Sequence, residues 1–174
     1  AAVLRRNHAW HDWYARWSVG WRPRLLALHP LAEDCDRLGR LVERHIALVP
    51  HILAPWLERP VGMQPCLCDI WHDHLLFRGN QLTGIIDFGS VKIDLPAVDL
   101  ARMLGSLLGD DRAYESEAPL QAWEKTLAHD LDTTGVVLAA ARWLVWLDRG
   151  EQRHASNAAI ARRLRHLADR LAGW

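Results

Sequence analysis

The first third of the chain repeats apolar and aromatic residues at three- and four-residue steps, the spacing of one helix face. Four tryptophans follow this spacing: Trp10, Trp13, Trp17 and Trp21. A tryptophan stripe can form a platform for a ligand, but it more often packs a helix against a core. We therefore expect an N-terminal helix whose aromatic side faces inward.

A second amphipathic pattern predicts a helix over residues 36–49. Its inward positions are apolar: Leu38, Leu41, Val42, Ile46 and Val49. Prolines then recur at short intervals, at Pro50, Pro55, Pro60 and Pro65. Because proline interrupts regular structure, this stretch is expected to be rich in turns.

The centre of the chain changes its period. Short apolar runs at 75–77 and 82–88 flank Gly79 and Asn80, two residues that tolerate positive φ, so the pattern predicts a β-hairpin. Helical spacing resumes after Pro96, which stands at a helix entry position, and the helix should break at 109–111. Three more helices are predicted over 119–131, 134–149 and 153–171. The fold class expected is mainly α with a small hairpin (α+β).

Composition narrows the function classes. The 174 residues suit one domain, half of them are hydrophobic, and 21 basic residues balance 21 acidic ones. The apolar content excludes disorder, and the zero net charge argues against a general nucleic-acid binder. Three cysteines are too few for a disulfide framework, and Cys66 and Cys68 make a poor zinc site without a second pair. No apolar run approaches a membrane span, so we expect a cytoplasmic protein with no membrane partner.

Chemistry-bearing side chains concentrate around the hairpin. Asp69 and His74 precede its first strand, and Asp87 ends its second. An antiparallel hairpin brings its outer ends together, so these residues should converge. Carboxylate oxygens and an imidazole suit a divalent cation, and a nearby carboxylate can orient or deprotonate a hydroxyl group. Taken singly, Asp69 could instead cap a turn, Asp87 could form an Asx turn, and His74 could be a packing residue.

Residues 65–108 resemble the aminoglycoside phosphotransferase and choline kinase-like family, relatives of the protein kinases. That family carries H-G-D-x-x-x-x-N, then a hairpin, an aspartate motif and P-x-x-D-L-A. Here Asp69 takes the place of the catalytic-loop aspartate, and Asp87, in Asp-Phe-Gly, that of the metal-holding one. Residues 96–101 match the last element. Two departures stand out: Leu67-Cys68 replaces His-Gly, and His74 replaces the asparagine.

The resemblance implies transfer of a phosphoryl group from ATP to a hydroxyl group of a small molecule. Asp69 would orient or deprotonate the acceptor, and Asp87 and His74 would hold Mg²⁺ or Mn²⁺. Asp99 would anchor the catalytic loop through its backbone, and Trp71 would be a packing residue. An acidic loop could attract a cationic acceptor through Asp110, Asp111, Glu115 and Glu117.

A kinase of this family also needs a nucleotide-binding lobe, with a phosphate-covering loop and a lysine. The sequence shows no glycine-rich loop, its two lysines are Lys92 and Lys125, and it opens on Ala1. We therefore expect residues 1–174 to form one C-terminal lobe, without its nucleotide lobe and inactive alone. One alternative is a non-catalytic, pseudokinase-like binding module. Another is a helical phosphohydrolase using His51, His72, Asp73 and a later aspartate, but that class is all-helical and the predicted hairpin argues against it.

Overall fold

A computed structural model describes residues 2–17, 29–107, 121–150 and 156–174. It is mainly helical, with two small antiparallel sheets, and it divides into two compact units. One unit comprises Ala1–Arg5 and Pro55–Thr133, and the other comprises Arg6–Ala54 and Thr134–Trp174. The predicted α+β class is therefore confirmed.

The second of these units is built from helices. Helices α2 (Ala32–His45) and α6 (Asn157–Ala172) lie wholly in this unit. It also contains parts of α1 (Ala2–Trp17), α3 (Val49–Leu57) and α5 (Ala122–Asp148), which the boundary between the units divides. Helices α2 and α6 pack together through fully buried side chains, among them Leu38, Val42, Leu164, Leu167 and Leu171. Arg37 and Asp169, 2.8 Å apart, form an exposed ion pair between the same two helices. The predicted inward face of α2 is thus the buried one.

Two helix boundaries differ from the sequence prediction. The helix predicted over 36–49 is α2 only as far as His45, and a 3₁₀ turn, Ile46–Leu48, follows it. The stretch expected to be rich in turns begins instead within the helix α3, which includes Pro50 and Pro55. Pro50 lies in the first turn, where its missing N–H costs no helical hydrogen bond. The break expected between residues 131 and 134 is also wrong, because α5 runs through it without interruption. Thr133 and Thr134 are buried there, and packing overrides their weak helix propensity.

The other unit carries the strands: β1 (Gln64–Cys66), β2 (Leu75–Arg78), β3 (Gln81–Ile85) and β4 (Lys92–Asp94). β2 and β3 form the predicted hairpin, and Gly79 takes the positive φ of its turn, at +59°. β1 pairs antiparallel with β4, which the sequence did not indicate. Helix α4 (Ala97–Leu107) starts directly after Pro96, as predicted.

The hairpin leaves much apolar surface uncovered by the described residues. Phe77, Leu82 and Phe88 are each about half exposed. The buried side chains of this unit instead come from the segments around the β1–β4 pair and from α4 and α5, including Cys66, Ile70, Leu95, Val98, Ala101 and Leu127. None of the described helices is both long and apolar enough to cross a membrane.

Candidate active site

The loop after β1 is fixed through its backbone by one carboxylate. Asp99, in the first turn of α4, accepts hydrogen bonds from the N–H groups of Leu67 and Cys68, at 2.8 and 2.6 Å. Cys68 stands at φ +63°, a left-handed conformation that a non-glycine residue adopts only at a cost. These two hydrogen bonds hold the strained backbone immediately before Asp69.

Asp69 has a hydrogen bond and an ion pair on the same oxygen. The indole N–H of Trp71 donates to Oδ1 at 2.9 Å, and Nη2 of Arg102, on α4, lies 3.1 Å from it. The Arg102 guanidinium also lies over the Trp71 ring, 5.2 Å from its centroid. The Asp69 side chain is 43% exposed, and no described residue hydrogen-bonds to its Oδ2. Asp69 can therefore offer Oδ2 to a hydroxyl group from solvent.

The outer ends of the hairpin bring His74 and Asp87 together. The N–H of Ile86 donates to the His74 carbonyl at 3.0 Å, and Nε2 of His74 lies 3.6 Å from Oδ2 of Asp87. Asp87 is 61% exposed and stands at φ +64°, a conformation that aspartate tolerates better than most residues. Its Oδ1 accepts a weak hydrogen bond from Gly89, at 3.4 Å, so an Asx turn coexists with the His74 contact.

The His74–Asp87 pair fits a divalent cation whose remaining ligands come from elsewhere. A carboxylate oxygen and an imidazole nitrogen 3.6 Å apart can both contact one ion. No third histidine, cysteine, aspartate or glutamate joins them among the residues that the structure describes. Magnesium commonly binds through one or two side chains and completes its shell with phosphates and water. The donor set therefore suits a metal that arrives with a phosphorylated substrate.

In the part of the chain that the structure describes, the second ring nitrogen of His74 lacks the hydrogen bond that metal-bound histidines usually make. Its Nδ1 is buried and has no hydrogen-bond partner among the described residues. Metal-bound histidines usually donate the second ring N–H to an acceptor, which fixes the ring and its tautomer. Among the described residues, the His74 ring therefore makes one polar contact, that of Nε2 with Asp87.

Asp94 is a buried residue next to the site that sequence reasoning missed. Its fully buried carboxylate pairs with Arg5 and accepts hydrogen bonds from the N–H groups of Ala2, at 2.8 Å, and Leu95, at 3.0 Å. The Sγ of Cys68 lies 3.9 Å from Oδ2. Burial alone would raise the pKa of Asp94, but its hydrogen bonds, above all from Arg5, outweigh burial and hold that pKa below its usual range. Asp94 thereby joins the start of α1 to the strand beside the loop.

A second missed contact lies one turn further along α4. The Oγ of Ser106 accepts the N–H of His72 at 3.1 Å and donates to the Met103 carbonyl at 2.8 Å. A possible signal for both Arg102 and Ser106 was their spacing from Asp99, which places all three on one side of the helix. The signal for Asp94 was an acidic residue in an apolar segment.

The remaining predicted residues divide into two groups. His72 and Asp73 are exposed and contact each other at 3.0 Å, and His51 is exposed. The hairpin of β2 and β3 argues against the helical phosphohydrolase that would use these residues. Asp110, Asp111, Glu115 and Glu117 lie outside the described residues, as does Trp21.

One comparison with known proteins gives a match. The model of the family described as "Phosphotransferase enzyme family" (APH) matches residues 1–134, which include β1 to β4, α4 and every site residue described above. No curated protein and no solved structure matches the chain significantly. The family match therefore covers more than half of the chain and the whole described site.

Proposed function

Because the chain belongs to the phosphotransferase enzyme family, we propose that it supplies the catalytic loop and the acceptor side of a site that transfers the γ-phosphoryl group of ATP to a small-molecule hydroxyl group. The observation that carries this proposal is the presentation of Asp69. Its loop is held by Asp99, one carboxylate oxygen accepts the Trp71 N–H and pairs with Arg102, and the other is open.

Asp69 is the proposed partner of the acceptor hydroxyl group. Its free Oδ2 would accept the hydroxyl hydrogen and aim the oxygen at phosphorus, taking the proton as the new bond forms. Placement is most of what a protein contributes to phosphoryl transfer. The rigid attachment of the loop to Asp99 serves this placement.

Asp87 and His74 are the proposed holders of Mg²⁺ or Mn²⁺. When bound, the ion would neutralise charge on the phosphate oxygens. Asp87 offers an exposed oxygen for this purpose, and the neighbouring His74 offers Nε2. An imidazole in place of an amide oxygen favours manganese over magnesium more than the family's asparagine would.

The first test measures metal binding by the chain itself. We expect Mn²⁺ to bind the 174-residue protein in the absence of ATP, which would itself chelate the ion, and the loss of the free-ion EPR signal detects this binding. Asp87→Asn should weaken the binding at least tenfold. Asp73→Asn, at an exposed carboxylate next to the site, is the matched control and should bind like wild type. Binding that does not depend on Asp87 or His74 would favour the pseudokinase-like alternative.

The second test measures catalysis. We propose that these 174 residues form a catalytic and acceptor lobe that depends on a separate nucleotide-binding part, so the chain alone should not phosphorylate alcohols or aminosugars from ATP. The natural protein that carries these residues should do so, and Asp69→Asn should abolish the reaction. ATP-dependent phosphorylation by the isolated chain would contradict the dependence on a second part.

We propose that an acidic segment attracts a cationic acceptor to the site; its residues are Asp110, Asp111, Glu115 and Glu117. In the natural protein, reversing the charge at Asp110 and Asp111 should raise the KM for a cationic acceptor and leave the KM for ATP unchanged. Equal KM values for a cationic and a neutral acceptor, in both wild type and variant, would exclude this role.

A further inference from the structure

The geometry around Asp69 points to a function for two residues that the family motifs leave unspecified. We propose that Arg102 and Trp71 are positioning residues, which orient the Asp69 carboxylate so that Oδ2 faces the acceptor hydroxyl group. The inference rests on the proposed function, since it presumes that Asp69 receives the acceptor. It adds a specific orienting pair that the motif residues do not contain.

Three contacts close a small triangle. Trp71 and Arg102 both reach Oδ1 of Asp69, at 2.9 and 3.1 Å, and the guanidinium of Arg102 lies over the Trp71 ring. A carboxylate alone rotates readily about its last torsion, because that torsion is broad and two-fold. The hydrogen bond from Trp71 and the ion pair with Arg102, both at Oδ1, restrict that rotation. The other oxygen is then kept open and pointed one way.

Arg102 is better suited to orienting the Asp69 carboxylate than to stabilising the fold. Its side chain is 40% exposed and that of Asp69 is 43% exposed, and an ion pair this exposed contributes little to the free energy of unfolding. Its planar guanidinium can nevertheless stack on an indole and donate to a carboxylate at the same time. Lysine offers a point charge without the planar fork, so the two side chains are not equivalent at this position.

Helix α4, which carries Arg102, contacts the loop at several points along its length. Asp99, Arg102 and Ser106 occupy successive turns of α4, and they contact the loop in the same order as the chain runs. Asp99 binds the N–H groups of Leu67 and Cys68, Arg102 binds the Asp69 side chain, and Ser106 binds the N–H of His72. Arg102 therefore lies between two residues of α4 that hold the loop backbone on either side of Asp69.

The kinetic test uses the natural protein that carries these residues. Arg102→Met should lower kcat roughly 10- to 100-fold, the range expected when a reacting group is misplaced. Arg102→Lys should recover part of the loss, and the KM for ATP should stay unchanged in both. Trp71→Phe keeps the ring but removes the N–H donor, and it should lower kcat by a smaller factor. Arg78→Met, on the exposed hairpin, is the matched control and should keep wild-type kcat.

A readout that does not depend on turnover comes from the 174-residue chain. The indole N–H resonance of Trp71, assigned among the ten tryptophans by its loss in Trp71→Phe, should shift in Asp69→Asn and in Arg102→Met. It should not shift in Asp73→Asn. An unshifted resonance in both of the first two variants would show that the triangle does not exist and would overturn the inference.

The outcomes separate the two proposals. If Asp69→Asn retains full activity, the proposed function fails and the inference falls with it. If Asp69→Asn abolishes activity while Arg102→Met and Trp71→Phe keep wild-type kcat, the inference alone is wrong. A loss of kcat in Arg102→Met at an unchanged unfolding temperature supports it, because a purely structural role would lower that temperature as well.

Discussion

Oδ1 of Asp99 accepts the backbone N–H of Cys68 at 2.6 Å, and Cys68 is held at φ +63°. The position before Asp69 has a left-handed backbone, and glycine, which the related family motif has there, adopts that conformation without the steric penalty of a side chain. Here a cysteine occupies it, so the hydrogen bond and the burial of its side chain offset the strain.

Glycine at position 68 should be better tolerated than alanine. Cys68→Gly and Cys68→Ala both remove the thiol, but only glycine removes the penalty of positive φ, so the glycine variant should be more stable by about 1 kcal/mol. Urea unfolding of the two variants measures the difference. Cys66, in β1, is the control position, where alanine should be the more stable replacement. The same order at both positions would refute the strain argument.

Removal of the Asp99 carboxylate should loosen the loop. Asp99→Ala leaves two N–H groups without their acceptor and should lower the free energy of unfolding by about 2 kcal/mol. Amide hydrogen exchange should rise at Leu67 and Cys68 before it rises elsewhere in the unit. Asp73→Ala, at a carboxylate that is 82% exposed, should change neither quantity. Protection at Leu67 and Cys68 that survives in Asp99→Ala would contradict the anchoring role.

Asp94 should contribute a pH-dependent part of the stability. Its pKa is lower in the folded chain than in the unfolded one, so its contribution is complete above the unfolded pKa of about 4 and is lost as the pH falls through the folded pKa. Asp94→Asn should cost about 2 kcal/mol at pH 7 because it breaks the pair with Arg5, and the difference from wild type should shrink toward pH 2. Urea unfolding at several pH values measures this difference. A gap that stays constant from pH 7 to pH 2 would exclude the linkage.

The three cysteines should be unreactive in the folded chain. Burial, and then the charge of Asp34, raises the pKa of Cys35 to about 12, and burial also raises the pKa of Cys66 and Cys68. Because the thiolate is the reactive form, labelling with a disulfide reagent at pH 8 should be roughly a hundredfold slower than in denaturant. Rapid labelling of one thiol in the native chain would show that its segment opens readily.

Local signals predicted those elements that depend on local chemistry. Gly79 places the hairpin turn, and Pro96 places the start of α4, because each residue acts on its own backbone. The β1–β4 pair could not be predicted in this way. It joins Gln64 to Asp94 across the entire hairpin, and three-residue strands carry no periodic signal. The continuous α5 was missed because buried packing at Thr133 and Thr134 decided against local propensity.

The site shows the same division. Asp69, Asp87 and Asp99 could be located because they stand at fixed intervals within one segment of the sequence. Arg5 could not be connected with Asp94, which lies 89 positions away. The spacing of Arg102 from Asp99 indicates its helix face, but it does not show that Arg102 contacts Asp69. Sequence spacing therefore locates the proposed site aspartates, while their contacts with residues distant in sequence emerge only from the folded chain.

The three contacts from α4 to the loop also limit how the gene can vary. Each inserted residue rotates the rest of a helix by about 100°. A single insertion between Asp99 and Ser106 would therefore move Ser106 to another face of α4, away from the N–H of His72. A substitution in this stretch alters one contact. A change of length separates every α4 residue that follows it from its partner in the loop. Among related chains, we expect this stretch to accept many changes of residue type and no insertions or deletions, which aligned natural sequences would show directly.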